Sequence, residues 1–131
     1  MSAYALINLL DLDDLAADAP DRSVRFGRTA LESRDLGVSL FTYEAGVRSS
    51  MAHSHKEQEE AYVVAEGSGR VLLDDEVHDL KQWDVVRVAP EVVRAFESGP
   101  DGLELLAVGG PKPEGGDGVR SESPWPDTAE G

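Results

Sequence analysis

The chain has no cysteine in its 131 residues. That excludes disulfides and thiolate metal ligands, and it fits a reducing interior. Basic residues are scarce: 12 Lys and Arg face 26 Asp and Glu, for a formal charge of −14. Such a field repels phosphate backbones and anionic lipid, so nucleic-acid binding and membrane-surface binding are set aside as functions. No apolar run is long enough to span a bilayer. The segment Met1–Leu10 has the apolar look of a secretion signal, but no basic residue precedes it and Asp11, Asp13 and Asp14 follow at once. The expectation is a cytoplasmic protein without a signal peptide. There is no G-x-S-x-G elbow and no glycine-rich phosphate loop, which leaves acyl transfer and nucleotide binding unsupported.

What remains is a chain of 14.1 kDa, the size of one domain with a real core. Residues 1–22 read as an N-terminal arm: a short strand over Ala3–Leu9, then an acidic turn or brief helix through Asp11–Leu15 to Pro20. Residues 23–109 read as a barrel of short β runs broken by Gly, Asp and Pro. The expected strands are Val24–Leu31, Leu36–Ala45, Glu60–Glu66, Gly69–Asp74, Val77–Leu80, Trp83–Val88, Val92–Glu97 and Leu103–Val108. Tight connections are expected at Glu66–Gly69, Asp74–Glu76 and Gly99–Gly102. Many short strands and no long amphipathic helix argue for an antiparallel sandwich or barrel. Residues 110–131, rich in Gly, Pro and acids, read as a mobile or surface-draped tail. Trp125, between two prolines, is either an anchor for that tail or an incidental exposed aromatic.

Two of the three histidines form His53-Ser54-His55. In an extended segment they point to one side, because strand side chains alternate faces. A carboxylate from the following strand completes a face of two imidazoles and one carboxylate, which suits a divalent metal with open positions. Glu59 and Glu60 both compete for that role. Glu60 shares its face with Tyr62 and Val64, so Tyr62 is placed to line the same cavity and to donate from its hydroxyl. The plainer alternative is a pair of histidines hydrogen-bonded in a polar cavity without metal.

The spacing Gly46-x6-His53-x-His55-x4-Glu60-x6-Gly67 resembles the first motif of the cupin superfamily. Gln82–Pro90 and Glu91–Ser98 look like its second motif in degraded form, with Trp83 and Glu91 at glycine positions, Arg94 at the histidine and Ser98 at the asparagine. The resemblance spans residues 46–98. It implies an all-β cupin jelly-roll barrel of antiparallel strands, with His53, His55 and Glu60 as ligands of Mn, Fe, Ni or Zn. Similar cupins include dioxygenases, decarboxylases and sugar isomerases or epimerases, and pairing through their sheets implies a homodimer.

The family's fourth ligand falls on Arg94, which is always cationic and cannot coordinate. Three outcomes are open. The guanidinium reaches past the site to Glu59, Glu91 or Glu97; or it forks onto Glu60 and replaces the metal by an ion pair; or it holds the carboxylate of a substrate. The function expected is therefore a cupin-fold protein with a cavity site on His53, His55 and Glu60. That site binds a divalent metal and a small polar or anionic molecule, with Arg94 and Tyr62 as substrate contacts. The alternative is a metal-free ligand-binding or dimeric interaction barrel. His78 is expected to face solvent, Trp83 to pack on the barrel end, and Phe96 and Val92 to share a cavity wall with Arg94.

Overall fold

A computed structural model describes residues 3–49, 51–122 and 125–126. Among the described residues, eight strands form one curled antiparallel sheet: β1 (Arg22–Phe26), β2 (Gly37–Tyr43), β3 (Met51–His55), β4 (Glu60–Leu73), β5 (Glu76–Lys81), β6 (Val85–Val88), β7 (Arg94–Gly109) and β8 (Gly118–Glu122). This is the all-β jelly-roll barrel. Among the described residues no helix is long and apolar enough to cross a membrane.

The frame is the pair of long strands β4 and β7, antiparallel from Glu60↔Gly109 to Leu73↔Arg94. On one half, β2 continues the sheet from β7 and β1 from β2, while β6 lies on the other edge of β4. On the other half, β5 flanks β4, and β3 and β8 extend beyond the start of β7. Each long strand thus serves two five-stranded faces that fold toward each other. Tyr62, Val64, Val71, Phe96, Leu103 and Leu105 fill the space between them.

The glycine-marked connections expected at Glu66–Gly69 and Gly99–Gly102 are not turns. Both lie inside the long strands, where the register shifts between Val64/Glu66 and between Gly67/Gly69. The two strands bend together there, as bulges allow. Gly67 and Gly102 take φ of 82° and 80°, and a Cβ on Gly67 would lie 2.1 Å from the Gly102 carbonyl oxygen. The sequence signal for a chain reversal was the signal for a barrel corner. The Asp74–Glu76 connection is a true turn, with Asp74 at φ 55° and its carboxylate accepting from Val93 N.

The N-terminal arm also differs from expectation. Ala3–Leu9 forms no strand; a single 3-10 turn at Leu9–Asp11 is capped by Asn8, whose side chain accepts from Leu10 N. Asp14 then ties the arm to β1, accepting from Ala16 N and Val24 N at 2.9 and 3.0 Å.

The stretch after 109, read as a tail, contributes β8 to the sheet. β8 pairs with β3 along its whole length, from Met51↔Glu122 to His55↔Gly118. Trp125 follows and is 3% exposed, packed with Ala52, Leu72 and Ala95 on the outer side of the barrel wall. The guanidinium carbons of Arg48 and Arg70 lie 4.6 and 5.5 Å from its ring centroid. Both arginines also pair with Glu97. Residues 123, 124 and 127–131 of the expected tail lie outside the described ones. Trp83, expected to pack, is 68% exposed with φ of 73°. A left-handed residue at this turn explains why the related motif carries glycine here.

Candidate metal centre

His53 and His55 stand on β3 two residues apart, so both rings project from the same face; their centroids are 5.3 Å apart at 87°. Glu60 opens β4, and parity separates it from Glu59. Glu60 turns inward with Tyr62, whereas Glu59 pairs with Arg87 at the surface, Nη1 to Oε2 3.0 Å. One ligand atom from each of His53, His55 and Glu60 lies within 4.8 Å of the others. The Glu60 Oε1 atom is 3.1 Å from His55 Nε2 and 3.6 Å from His53 Nε2. Ligands about 2.1 Å from a common ion would be roughly 3.0 Å apart at a right angle and about 3.4 Å apart at the tetrahedral angle. The three residues are placed to hold a metal ion.

Their hydrogen bonds point the same way. Asp117, in the turn before β8, accepts the His55 Nδ1–H at 2.8 Å. Its other oxygen accepts from Glu57 N at 2.7 Å and Gln58 N at 2.8 Å. Burial pushes the Asp117 carboxyl up, but the Glu57 N–H, the His55 ring and the Gln58 N–H outweigh it and hold the group at about 2. An ionised carboxylate only accepts, so the proton on that side belongs to Nδ1. His55 Nε2 then turns into the barrel, buried and without a hydrogen-bond partner among the described residues, toward a carboxylate oxygen. Two electron-rich atoms at that distance need a cation between them, a proton or a metal ion. A carboxylate–histidine pair behind the ligand nitrogen is the usual arrangement that orients a metal-binding imidazole.

Glu60 is itself held ionised. Burial pushes its carboxyl up, but hydrogen bonds from His53 and Tyr62 and the charges of His55 and His53 bring it to about 2. The Tyr62 hydroxyl donates to Glu60 Oε1 at 2.5 Å and lies 3.3 Å from His53 Nε2. Burial, then the charge of Glu60, pushes the phenol well above its ordinary value, so it keeps its proton at neutral pH.

Arg94 opens β7 directly across from His53 in the sheet register and is fully buried. Its guanidinium follows neither structural route expected from the sequence. Among the described residues it reaches none of the three: Glu59 pairs with Arg87, Glu97 pairs with Arg48 and Arg70, and Glu91 is exposed. Nor does it fork onto Glu60: the Nη2–Oε1 distance is 3.9 Å, beyond a hydrogen bond. Its hydrogen bonds are long ones to main-chain carbonyls, Nη1 to Pro90 at 3.4 Å and Nη2 to Ala89 at 3.3 Å.

Arg94, His53 and Tyr62 line one cavity of about 100 Å³, together with Phe41, Met51, Phe96 and Leu105. His78 faces solvent on β5, away from this group. Sequence reasoning missed Asp117. The only local sign is an acid within Gly115-Gly116-Asp117-Gly118, 62 residues from its histidine.

Comparison with known proteins agrees with this architecture. Residues 39–109 match the family model of the cupin domain. No curated protein matches. Among solved structures, a cupin protein from Bacteroides fragilis superposes with a TM-score of 0.70 at 25% identity, covering 85% of this chain and 86% of that one. KdgF from Halomonas superposes at 0.69 and 13% identity, covering 85% and 96%. Oxalate decarboxylase from Bacillus subtilis superposes at 0.71 and 20% identity over 87% of this chain but 31% of its own length. The family model covers more than half of the sequence, and its range carries His53, His55, Glu60, Tyr62 and Arg94: the chain belongs to the cupin family.

Proposed function

We propose that this protein is a divalent-metal cupin that binds a small polar or anionic molecule beside the ion, inside the barrel. The observation that carries this reading is His55: its Nδ1–H is committed to Asp117, and its buried Nε2 faces Glu60 Oε1 at 3.1 Å without forming a hydrogen bond. His53, His55 and Glu60 would hold the ion, and Mn, Fe, Ni or Zn all suit two imidazoles and a carboxylate. When bound, such an ion supplies Lewis acidity to a ligand at its open positions. The chain's own residues set the rest. Asp117 fixes the tautomer of His55, Tyr62 holds a proton at its hydroxyl next to Glu60, and Arg94 places a positive charge on the cavity wall. Phe41, Phe96 and Leu105 exclude bulk water from one side. At roughly 30 Å³ per water, the cavity has room for about three waters or a ligand of that size. The absence of cysteine supports a cytoplasmic setting.

Metal analysis of protein grown in medium supplemented with these four metals tests the proposal. The expected result is close to one ion per chain in the native protein and a near-complete loss in His53→Ala and Glu60→Ala. A metal-free native protein, or variants that keep their ion, would refute it.

A second reading concerns assembly. On the outer side of β6, β4 and β7, Val85 and Val108 are 61% and 37% exposed, and they flank Ala61, Val63 and Leu106 on the same face. Arg87, paired with Glu59, lies on the same face opposite Ala61. The apolar residues of this sheet face support a homodimer built through it.

A further inference from the structure

Arg94 is the one charged group at the centre that the ligand set does not explain. Its side chain is 0% exposed. Its fork carries five N–H donors, and a guanidinium stays protonated wherever it is placed. Yet Nε has no partner among the described residues, and the remaining bonds are the two long ones to carbonyls. Glu60, the nearest carboxylate, stops at 3.9 Å and gives its Oε1 to Tyr62 and the histidines. A buried cation left in this condition is costly unless something else neutralises it. The cavity of about 100 Å³ is where that something has room, since Arg94, His53 and Tyr62 share its wall.

The inference rests on the metal reading above. With a divalent ion on His53, His55 and Glu60, the ion and Arg94 would repel each other across the site. Glu60 and Asp117 supply one negative charge each, against two from the ion and one from Arg94, so the loaded centre keeps a net positive charge. We propose that the centre is completed by a short-chain monocarboxylate, shared between the ion's open position and the Arg94 fork. The planar fork matches a carboxylate in shape as well as charge. Phe41, Phe96 and Leu105 accept an apolar tail of a few carbons. Arg94 thereby stands in the ligand position of the motif as a device that makes metal and anion bind together. Linkage requires the coupling to be reciprocal: whatever factor the carboxylate adds to metal affinity, the metal adds to carboxylate affinity.

The test uses the full chain, stripped of metal, with zinc and propionate as probes. Zinc affinity is measured by competition with a chromophoric chelator, alone, with saturating propionate, and with propionamide, which has the same shape without the charge. We expect propionate to tighten zinc binding by about tenfold, within the common range of coupling, and propionamide to have no effect. In Arg94→Met the propionate effect disappears, and zinc alone binds more tightly than to the native protein. If that variant does not fold, Arg94→Lys decides: it keeps the charge without the planar fork, and the propionate effect must fall well below the native one. Zinc binding that ignores propionate in the native protein overturns the inference and leaves the metal centre standing. An absence of zinc binding under every condition overturns both.

Discussion

Replacing Asp117 by Asn separates positioning from packing at the metal centre. The change keeps the volume and one oxygen, but that oxygen must choose. In the native protein one carboxylate oxygen takes the His55 Nδ1–H and the other takes the Glu57 and Gln58 N–H groups. An amide oxygen turned toward the loop keeps the two backbone bonds and points its NH2 at His55 Nδ1. The imidazole must then move its proton to Nε2, the atom that faces Glu60, and it can no longer coordinate. Turned the other way, the oxygen keeps His55 in register and sets an NH2 against two backbone donors. The first arrangement sacrifices ligation and the second disrupts the loop. Removing an outer partner of this kind costs about 10–100-fold in metal affinity, or about 1.4 to 2.7 kcal/mol. Chelator competition on Asp117→Asn should show that loss, while nitrogen NMR of the imidazole should show the Nδ1–H signal of His55 replaced by Nε2–H. Zinc affinity within twofold of the native value, with the tautomer unchanged, would refute the reasoning.

Two other outcomes follow from groups already described. Glu60 is held at about 2, below the 4.5 of a free glutamate, so it binds fewer protons folded than unfolded at pH 3–4. Its contribution is fully present above about pH 4.5 and is lost as pH falls toward 2, amounting to about 3 kcal/mol by linkage. Urea unfolding of the metal-free protein at pH 5.5 and pH 2.5 should show it, and Glu60→Gln should flatten that part of the pH dependence; an equal slope in both proteins would count against it. Light scattering of the native chain should give twice 14.1 kDa, and Val85→Lys on the exposed sheet face should give the single-chain mass; a monomeric native protein ends the dimer reading.

The sequence made some of this architecture readable and concealed the rest. His53 and His55 were legible as a pair because strand parity is local: positions two apart must share a face. The choice between Glu59 and Glu60 stayed open in the sequence, and the fold decides it by turning Glu59 outward to Arg87 and Glu60 toward the histidines. An antiparallel sandwich or barrel was legible from the density of short β runs, and the jelly roll from the cupin resemblance of residues 46–98. Glycine was the source of the largest error, since a positive φ serves a hairpin turn and a bend within a strand equally well. Gly67 and Gly102 do the second, and only the partner strand distinguishes them. Asp117 was hidden because its role depends on a contact across 62 residues, and neither its neighbours nor any periodicity encodes that. Arg94 stands out in the sequence as a misfit, but the 3.9 Å that keeps its guanidinium from hydrogen-bonding Glu60 is a property of tertiary packing.

The strand that carries both histidines has little grip on the barrel it serves. β3 meets β7 at one register pair, His53↔Arg94, donates from His55 N to the Pro90 carbonyl at 2.7 Å, and pairs along its whole length with β8. β8 in turn is continuous with Trp125, clamped against the outer wall beneath Arg48 and Arg70. Most of the sheet pairing of β3 is therefore with the C-terminal segment rather than with the β4–β7 frame. Edge segments of this kind open at lower free energy than a core. Opening this one would withdraw both imidazoles and Asp117 at once while leaving Glu60, Tyr62 and Arg94 in place. Were an ion bound by His53, His55 and Glu60, its release would run through this edge of the sheet, with the buried indole of Trp125 on the other side of the wall as its fastener.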